Sequence, residues 1–338
     1  MKLYTLTNPA GMTAAITDFG GINLSLTAPD RDGNFADVVL GFDEPADYLD
    51  RNDPYLGAII GRYGNRIGNA RFILDGREYN LAKNMGDHQL HGGLKAFDKV
   101  MWAAKPIDGP GFQGLELTYL SPDMEEAYPG NLDVKVTYKL NDANELSLDY
   151  TASTDKTTFL NLTHHGYYNL KGHDAGDILG HEVMIAGDTY AEAGPDMIPT
   201  GRFLPVAGTP MDFTSMKPVG RDIDADDAQM RLASGFDFSW VVRREKPGEL
   251  VSAVQVYEPS SGRLMEVLTT EPAAHLYTGN FLDGSLTGKN ECAYGRHAGL
   301  CVETQHFADS PNQPDFPSTR LEPGQKFRST TIYRFGVR

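Results

Sequence analysis

The chain has 338 residues, with 30 Lys and Arg against 46 Asp and Glu, a formal net charge of −16. A balance this acidic repels phosphate backbones and anionic lipid, so neither nucleic acid nor a membrane surface is an expected partner. The only cysteines, Cys292 and Cys301, lack zinc or redox spacing, and no run approaches about 18 apolar residues; a cytoplasmic protein without a disulfide framework, signal peptide or membrane span is expected.

Glycines and prolines are spread along the whole length, as frequent turns between short strands require. Turn pairs at Asp32-Gly33, Asp75-Gly76, Ser261-Gly262 and Asp283-Gly284 each predict a hairpin, the second within residues 72–81. Tyr63-Gly64-Asn65-Arg66-Ile67-Gly68 sets a guanidinium among glycines, where backbone can approach a ligand; a structural Arg binding loop carbonyls is the plain alternative. His88-Gln89-Leu90-His91-Gly92-Gly93 puts His91 at the rim of a strand-like run. Its two histidines would point to opposite faces and have no third ligand nearby, so a metal is not expected. Gly109-Pro110-Gly111-Phe112-Gln113-Gly114 fits a dinucleotide fingerprint by letter, but a strand-like run follows where a helix is needed, so it reads as a turn.

The clearest alternation runs from Leu132 to Leu140 and resumes, after a turn at Asn141–Asn144, through Leu146, Leu148 and Tyr150. It predicts an antiparallel pair with one wet face. Residues 161–170, Asn-Leu-Thr-His-His-Gly-Tyr-Tyr-Asn-Leu, carry adjacent histidines in an apolar and aromatic stretch. On a regular strand His164 and His165 face opposite ways; the inward one is either a proton donor or an imidazole satisfied by backbone.

Further strands are expected at 182–187, 251–257, 264–270 and 298–305, with a helical turn or two within 222–232. Ser234-Gly235-Phe236-Asp237-Phe238-Ser239-Trp240 mixes carboxylate and rings, which suits a sugar site or a simple turn. In Ala298-Gly299-Leu300-Cys301-Val302-Glu303-Thr304-Gln305 a carboxylate interrupts an apolar strand, where desolvation would make it an effective base. With no repeat and no linker, the pattern predicts an all-β chain, one large antiparallel β-sandwich domain over residues 1–338.

Taken in order, Val39-Leu40-Gly41-Phe42, Gly64-Asn65-Arg66-Ile67, His88-Gln89-Leu90-His91-Gly92-Gly93, Tyr128-Pro129-Gly130, Asn161-Leu162-Thr163, Ile198-Pro199-Thr200-Gly201, Gly235-Phe236-Asp237, Tyr277-Thr278-Gly279-Asn280 and Glu303-Thr304-Gln305 resemble the aldose 1-epimerase (galactose mutarotase) family. The resemblance implies a supersandwich fold, anomer interconversion of free hexoses such as galactose and glucose, no cofactor or metal, and a monomer or weak homodimer. It also implies Glu303 as general base, His165 as general acid, and Asn65, Arg66, His91 and Asp237 as ligands of sugar hydroxyls. This chain departs from the family's pattern beside the acid, where His164 and Gly166 replace the usual Asn and Ser or Thr; the distance to Asn169-Leu170 selects His165. Other readings keep the fold: a mutarotase for hexose 6-phosphates, which Arg62 and Arg66 keep open, one acting at the reducing end of a disaccharide, and a non-catalytic sugar-binding module.

Overall fold

Alternation of the Leu132–Leu140 kind builds the larger of two main sheets in the computed structural model, which describes residues 1–338. Nine antiparallel strands lie in the order Ala103–Gly109, Phe112–Ser121, Leu132–Asn141, Glu145–Thr154, Phe327–Val337, Arg263–Thr269, Val251–Tyr257, Glu182–Ile185 and Lys217–Pro218. Leu132, Val134, Val136, Tyr138 and Leu140 are buried while Asp133, Lys135 and Lys139 reach outward. Each buried apolar side chain there contributes roughly 1.5–3 kcal/mol. A Val136→Asp change would place an unpaired carboxylate in the core and break the layer.

The second sheet has six antiparallel strands, in the order Tyr167–Tyr168, Leu300–Gln305, Ala273–Tyr277, Asp237–Val241, Thr189–Ala193 and Pro199–Pro205. Its alternation decides where the chemistry sits. Register pairs Ser239 with His275 and His275 with Glu303; two residues along, Asp237 pairs with Tyr277 and Tyr277 with Cys301. All six side chains therefore share one face. The intervening Phe238, Trp240, Leu276 and Val302 point the other way, into an apolar cluster of 55 buried residues shared with the nine-stranded sheet. A four-stranded sheet from Leu3–Thr7 to Phe35–Asp37 packs into the same cluster.

Three of the expected hairpins form, at Asp32-Gly33, Asp75-Gly76 and Ser261-Gly262. Asp283-Gly284 does not make one. The Asp283 carboxylate instead accepts the Ser285 N–H (2.9 Å), folding a local turn in the connection between two site strands. The stretch 222–232 yields a short helix at Ala228–Ala233, whose open N–H groups are met by the Asp227 carboxylate. Residues 161–170 are not one strand: Thr163–His164 pairs with Ile59–Ile60, and Tyr167–Tyr168 with the strand that carries Glu303. The chain changes partner at His165-Gly166. The space at Gly166 is tight, since a Cβ there would lie 3.0 Å from both His164 and Tyr168, side chains that would have to give by a few tenths of an ångström.

Candidate active site

The polar face of the six-stranded sheet floors a cavity of about 290 Å³ lined by Asn65, Arg66, His91, His165, Asp237 and Glu303, together with His275, Tyr55, Tyr167, Tyr277 and Phe281. The six residues singled out from sequence are thus brought into one cavity, of a size suited to a single small molecule. A larger groove, about 1160 Å³ around Arg243 and Arg320, lies elsewhere and has none of these groups.

Glu303 is 1% exposed, and its Oε2 has no hydrogen-bond partner. Burial, reinforced by the Asp237 charge and opposed by Arg66, pushes its carboxyl up to about 8. Oε1 lies 3.6 Å from His165 Nε2. His165 is fixed through its backbone, donating its N–H to Ala58 C=O (2.9 Å) and accepting the Gly57 N–H (3.0 Å). Burial drives its imidazole down to about 3. The two perturbations run in opposite directions, since burial favours the uncharged form of each group.

Arg66 Nη2 donates to Asp237 Oδ2 (2.9 Å), and His275 Nε2 donates to Asp237 Oδ1 (2.7 Å). His275 Nδ1 pairs with the Ser239 hydroxyl (2.8 Å). Burial alone would raise the Asp237 carboxyl, but Arg66 and His275 outweigh it and hold it well below the usual range, so it stays ionised. Nε of Arg66 is buried and has no hydrogen-bond partner. Asn65, at φ 65°, bonds in both senses: its side-chain oxygen accepts the Arg66 N–H (2.9 Å), and its own N–H donates to His91 Nδ1 (3.1 Å).

That bond also fixes the His91 tautomer. Burial, then the neighbouring His165 and Arg66, keeps His91 neutral, and with Nδ1 accepting, its hydrogen resides on Nε2. The donor atoms of His91, His165 and Glu303 lie within 4.8 Å of one another, a spacing a metal could use. A metal needs a lone pair on His91 Nε2, however, and that nitrogen carries a hydrogen; the trio suits recognition of hydroxyl oxygens better.

Not every candidate belongs to the cavity. Arg62 is spent on structure, donating to Ser121 Oγ (2.7 Å) and to the carbonyls of Ser121 (2.9 Å) and Pro122 (2.8 Å). Trp240 sits in the core with its indole N–H on Met211 C=O (3.0 Å), so the rings that line the cavity are Tyr55, Tyr167, Tyr277 and Phe281 instead. His164 faces away, between Tyr138 and Tyr333, and donates from Nε2 to Gly57 C=O (3.0 Å). His88 lies outside, accepting the Asn69 N–H (3.0 Å). His275 was overlooked in the sequence although its signal is of the same kind as that of Glu303, one titratable residue inside the apolar run Ala273-Ala274-His275-Leu276-Tyr277.

Comparison with known proteins agrees with this geometry. A family model described as aldose 1-epimerase matches residues 2–334. The chain is 43% identical over 322 residues to galactose mutarotase of Homo sapiens, covering 95% of this chain and 90% of that protein. It is 37% identical over 336 residues to aldose 1-epimerase of Escherichia coli, covering 99% and 95%. Among solved structures, an aldose epimerase homologue from C. elegans superposes with a TM-score of 0.90 at 28% identity, covering 99% of each chain. Galactose 1-epimerase from Lactobacillus acidophilus superposes with a TM-score of 0.85 at 27% identity, covering 98% of this chain and 93% of that one.

Proposed function

This chain belongs to the aldose 1-epimerase family and is a mutarotase, and we propose that Glu303 and His165 carry the reaction on free hexoses such as galactose and glucose. Opening a cyclic aldose removes the proton of the C1 hydroxyl and delivers one to the ring oxygen. Both oxygens are bonded to C1, so base and acid must work side by side. Glu303 takes the hydroxyl proton and His165 protonates the ring oxygen. The C1–ring oxygen bond breaks and C1 becomes the aldehyde. Rotation about C1–C2 presents the other face, and closure returns each proton, Glu303 now acting as acid and His165 as base.

The observation that carries this reading is a carboxyl and an imidazole buried side by side, 3.6 Å apart, where burial pushes the carboxyl up and the imidazole down. The reactive arrangement has Glu303 ionised and His165 protonated; opening leaves Glu303 protonated and His165 neutral, which is the distribution that burial favours. Ring opening therefore relieves the cost of two buried charges at the moment the aldehyde forms. Arg66 Nε, His91 Nε2–H and the ionised Asp237 are the donors and acceptor assigned to the remaining hydroxyls, and Tyr55, Tyr167, Tyr277 and Phe281 offer rings for an apolar sugar face.

Arg66 is the only Lys or Arg lining the cavity and is already paired with Asp237, while Asp53 stands at the mouth. That charge pattern favours a neutral sugar over a 6-phosphate. The pair of acid and base also separates an enzyme from a binding module. Polarimetry with the His165→Gln variant tests the assignment: anomer exchange should fall by roughly 10²–10⁴, and an unchanged rate would overturn it. No helix is long and apolar enough to cross a membrane; two unpaired thiols suit a reducing compartment, and on that ground we assign the protein to the cytoplasm.

A further inference from the structure

Residues 52–57 form a strained turn at the cavity mouth that the acid/base scheme leaves unused. Tyr55 holds φ at 63°, a left-handed conformation that costs a non-glycine residue of order 1–3 kcal/mol. Several bonds hold it there. Asn52 grips both sides of Leu56, its side-chain oxygen accepting the Leu56 N–H (2.8 Å) and its amide donating to Leu56 C=O (3.2 Å). The Tyr167 hydroxyl donates to Pro54 C=O (3.0 Å), and His164 donates to Gly57 C=O (3.0 Å) while the Gly57 N–H reaches His165 C=O (3.0 Å). The strain serves the ring. Tyr55 meets His91 edge-on, centroids 4.7 Å apart, and lies nearly parallel to His165 at 6.0 Å, as Tyr167 does at 5.1 Å.

We infer that Tyr55 is a positioning residue for the acid: its ring, held by the 52–57 turn, keeps the His165 imidazole aimed at Glu303 and keeps water from it. The odd histidine, His164, acquires a role in the same device, since it anchors the far end of the turn. The groups facing His165 are Glu303 and Cys301 on one strand, His91 at the rim, and the rings of Tyr55, Tyr167 and Tyr277, with the charge of Asp237 and the imidazole of His275 beyond. Of the rings closest in plane to His165, Tyr55 is the half-buried one, so its removal opens a path to solvent.

The inference rests on His165 as acid, and the test separates the two claims. Tyr55→Gly deletes the ring and relieves the backbone; Tyr55→Phe keeps the ring. NMR titration of the His165 imidazole reads its environment whether or not it is catalytic. Tyr55→Gly should raise the titration midpoint by a unit or more toward the ordinary 6.5, move the acidic limb of the kcat/KM profile the same way, and lower kcat at least tenfold. Tyr55→Phe, which keeps the ring, should leave the midpoint at its wild-type value. Asn52→Ala, which loosens the turn but keeps the ring, should shift the midpoint in the same direction by less. An unmoved midpoint in both Tyr55→Gly and Asn52→Ala overturns the shielding claim. A moved midpoint with an unmoved rate profile retains the shield and removes His165 from the mechanism. Equal damage in Tyr55→Phe and Tyr55→Gly would shift the role to the hydroxyl and overturn the inference.

Discussion

Replacing Glu303 by Gln should slow the enzyme and stabilise it with increasing pH, two effects of opposite sign from one substitution. Loss of a general base costs roughly 10²–10⁴ in rate. The stability effect follows from the carboxyl's pKa of about 8 in the fold against an ordinary 4.5. Between those values the folded chain holds a proton that the unfolded chain has released, so stability falls as pH rises through the window and is flat above about 8. At about 1.4 kcal/mol per pH unit, the whole window is worth roughly 5 kcal/mol, an upper figure because an ionised Glu303 can draw the proton to His165. His165 is depressed to about 3 and gives the opposite slope from there to 6.5, where stability is lost on acidification. The cleanest interval is therefore pH 6.5 to 8, in which the wild type should lose about 2 kcal/mol relative to the variant. Gln leaves an amide in a site where Oε2 already lacks a partner, and that offset, about 1–3 kcal/mol, does not depend on pH. Urea denaturation of both proteins at several pH values, with polarimetric rates on the same samples, measures both effects. A stability gap that stays constant from pH 6.5 to 8 would refute the raised carboxyl, and a wild-type rate in Glu303→Gln would refute its role as base.

Three further outcomes follow from the same geometry. His165→Gln should reduce anomer exchange by roughly 10²–10⁴ while unfolding as cooperatively as the wild type, as circular dichroism melts would record. Asp237→Ala strands the Arg66 guanidinium, whose side chain is 11% exposed, and should cost about 3–5 kcal/mol by denaturant titration and raise KM; Asp237→Asn should cost less stability. Galactose 6-phosphate should show a kcat/KM at least tenfold below galactose, because the cavity offers a dianion no unpaired Lys or Arg; equal values would place an undetected cation near the far end of the sugar.

Alternation made much of the fold legible. Leu132–Leu140 announced a half-wet strand, and the isolated carboxylates in Phe236-Asp237-Phe238 and Val302-Glu303-Thr304 marked the polar face of the second sheet. What stayed hidden depended on contacts distant in sequence. Residues 161–170 look like one strand because periodicity cannot record a change of partner at Gly166. Asp283-Gly284 carries the letters of a hairpin but lies in an irregular connection, where Asp283 caps its own turn. Arg62 and Arg66 are neighbours of similar context, yet one is consumed by carbonyls and the other by a carboxylate on a strand far along the chain. Trp240 stands close to Asp237 in the sequence, yet the pleat sends it into the core, while a left-handed turn brings Tyr55, which no sequence pattern marked, over the site.

The account stands most directly on the time course of optical rotation when freshly dissolved α-D-galactose meets the wild-type protein. It predicts relaxation to the anomeric equilibrium faster than in buffer, in proportion to enzyme and saturating with sugar, with that acceleration reduced by roughly 10²–10⁴ in Glu303→Gln. A relaxation indistinguishable from buffer alone, at protein concentrations where the chain is folded, would contradict it.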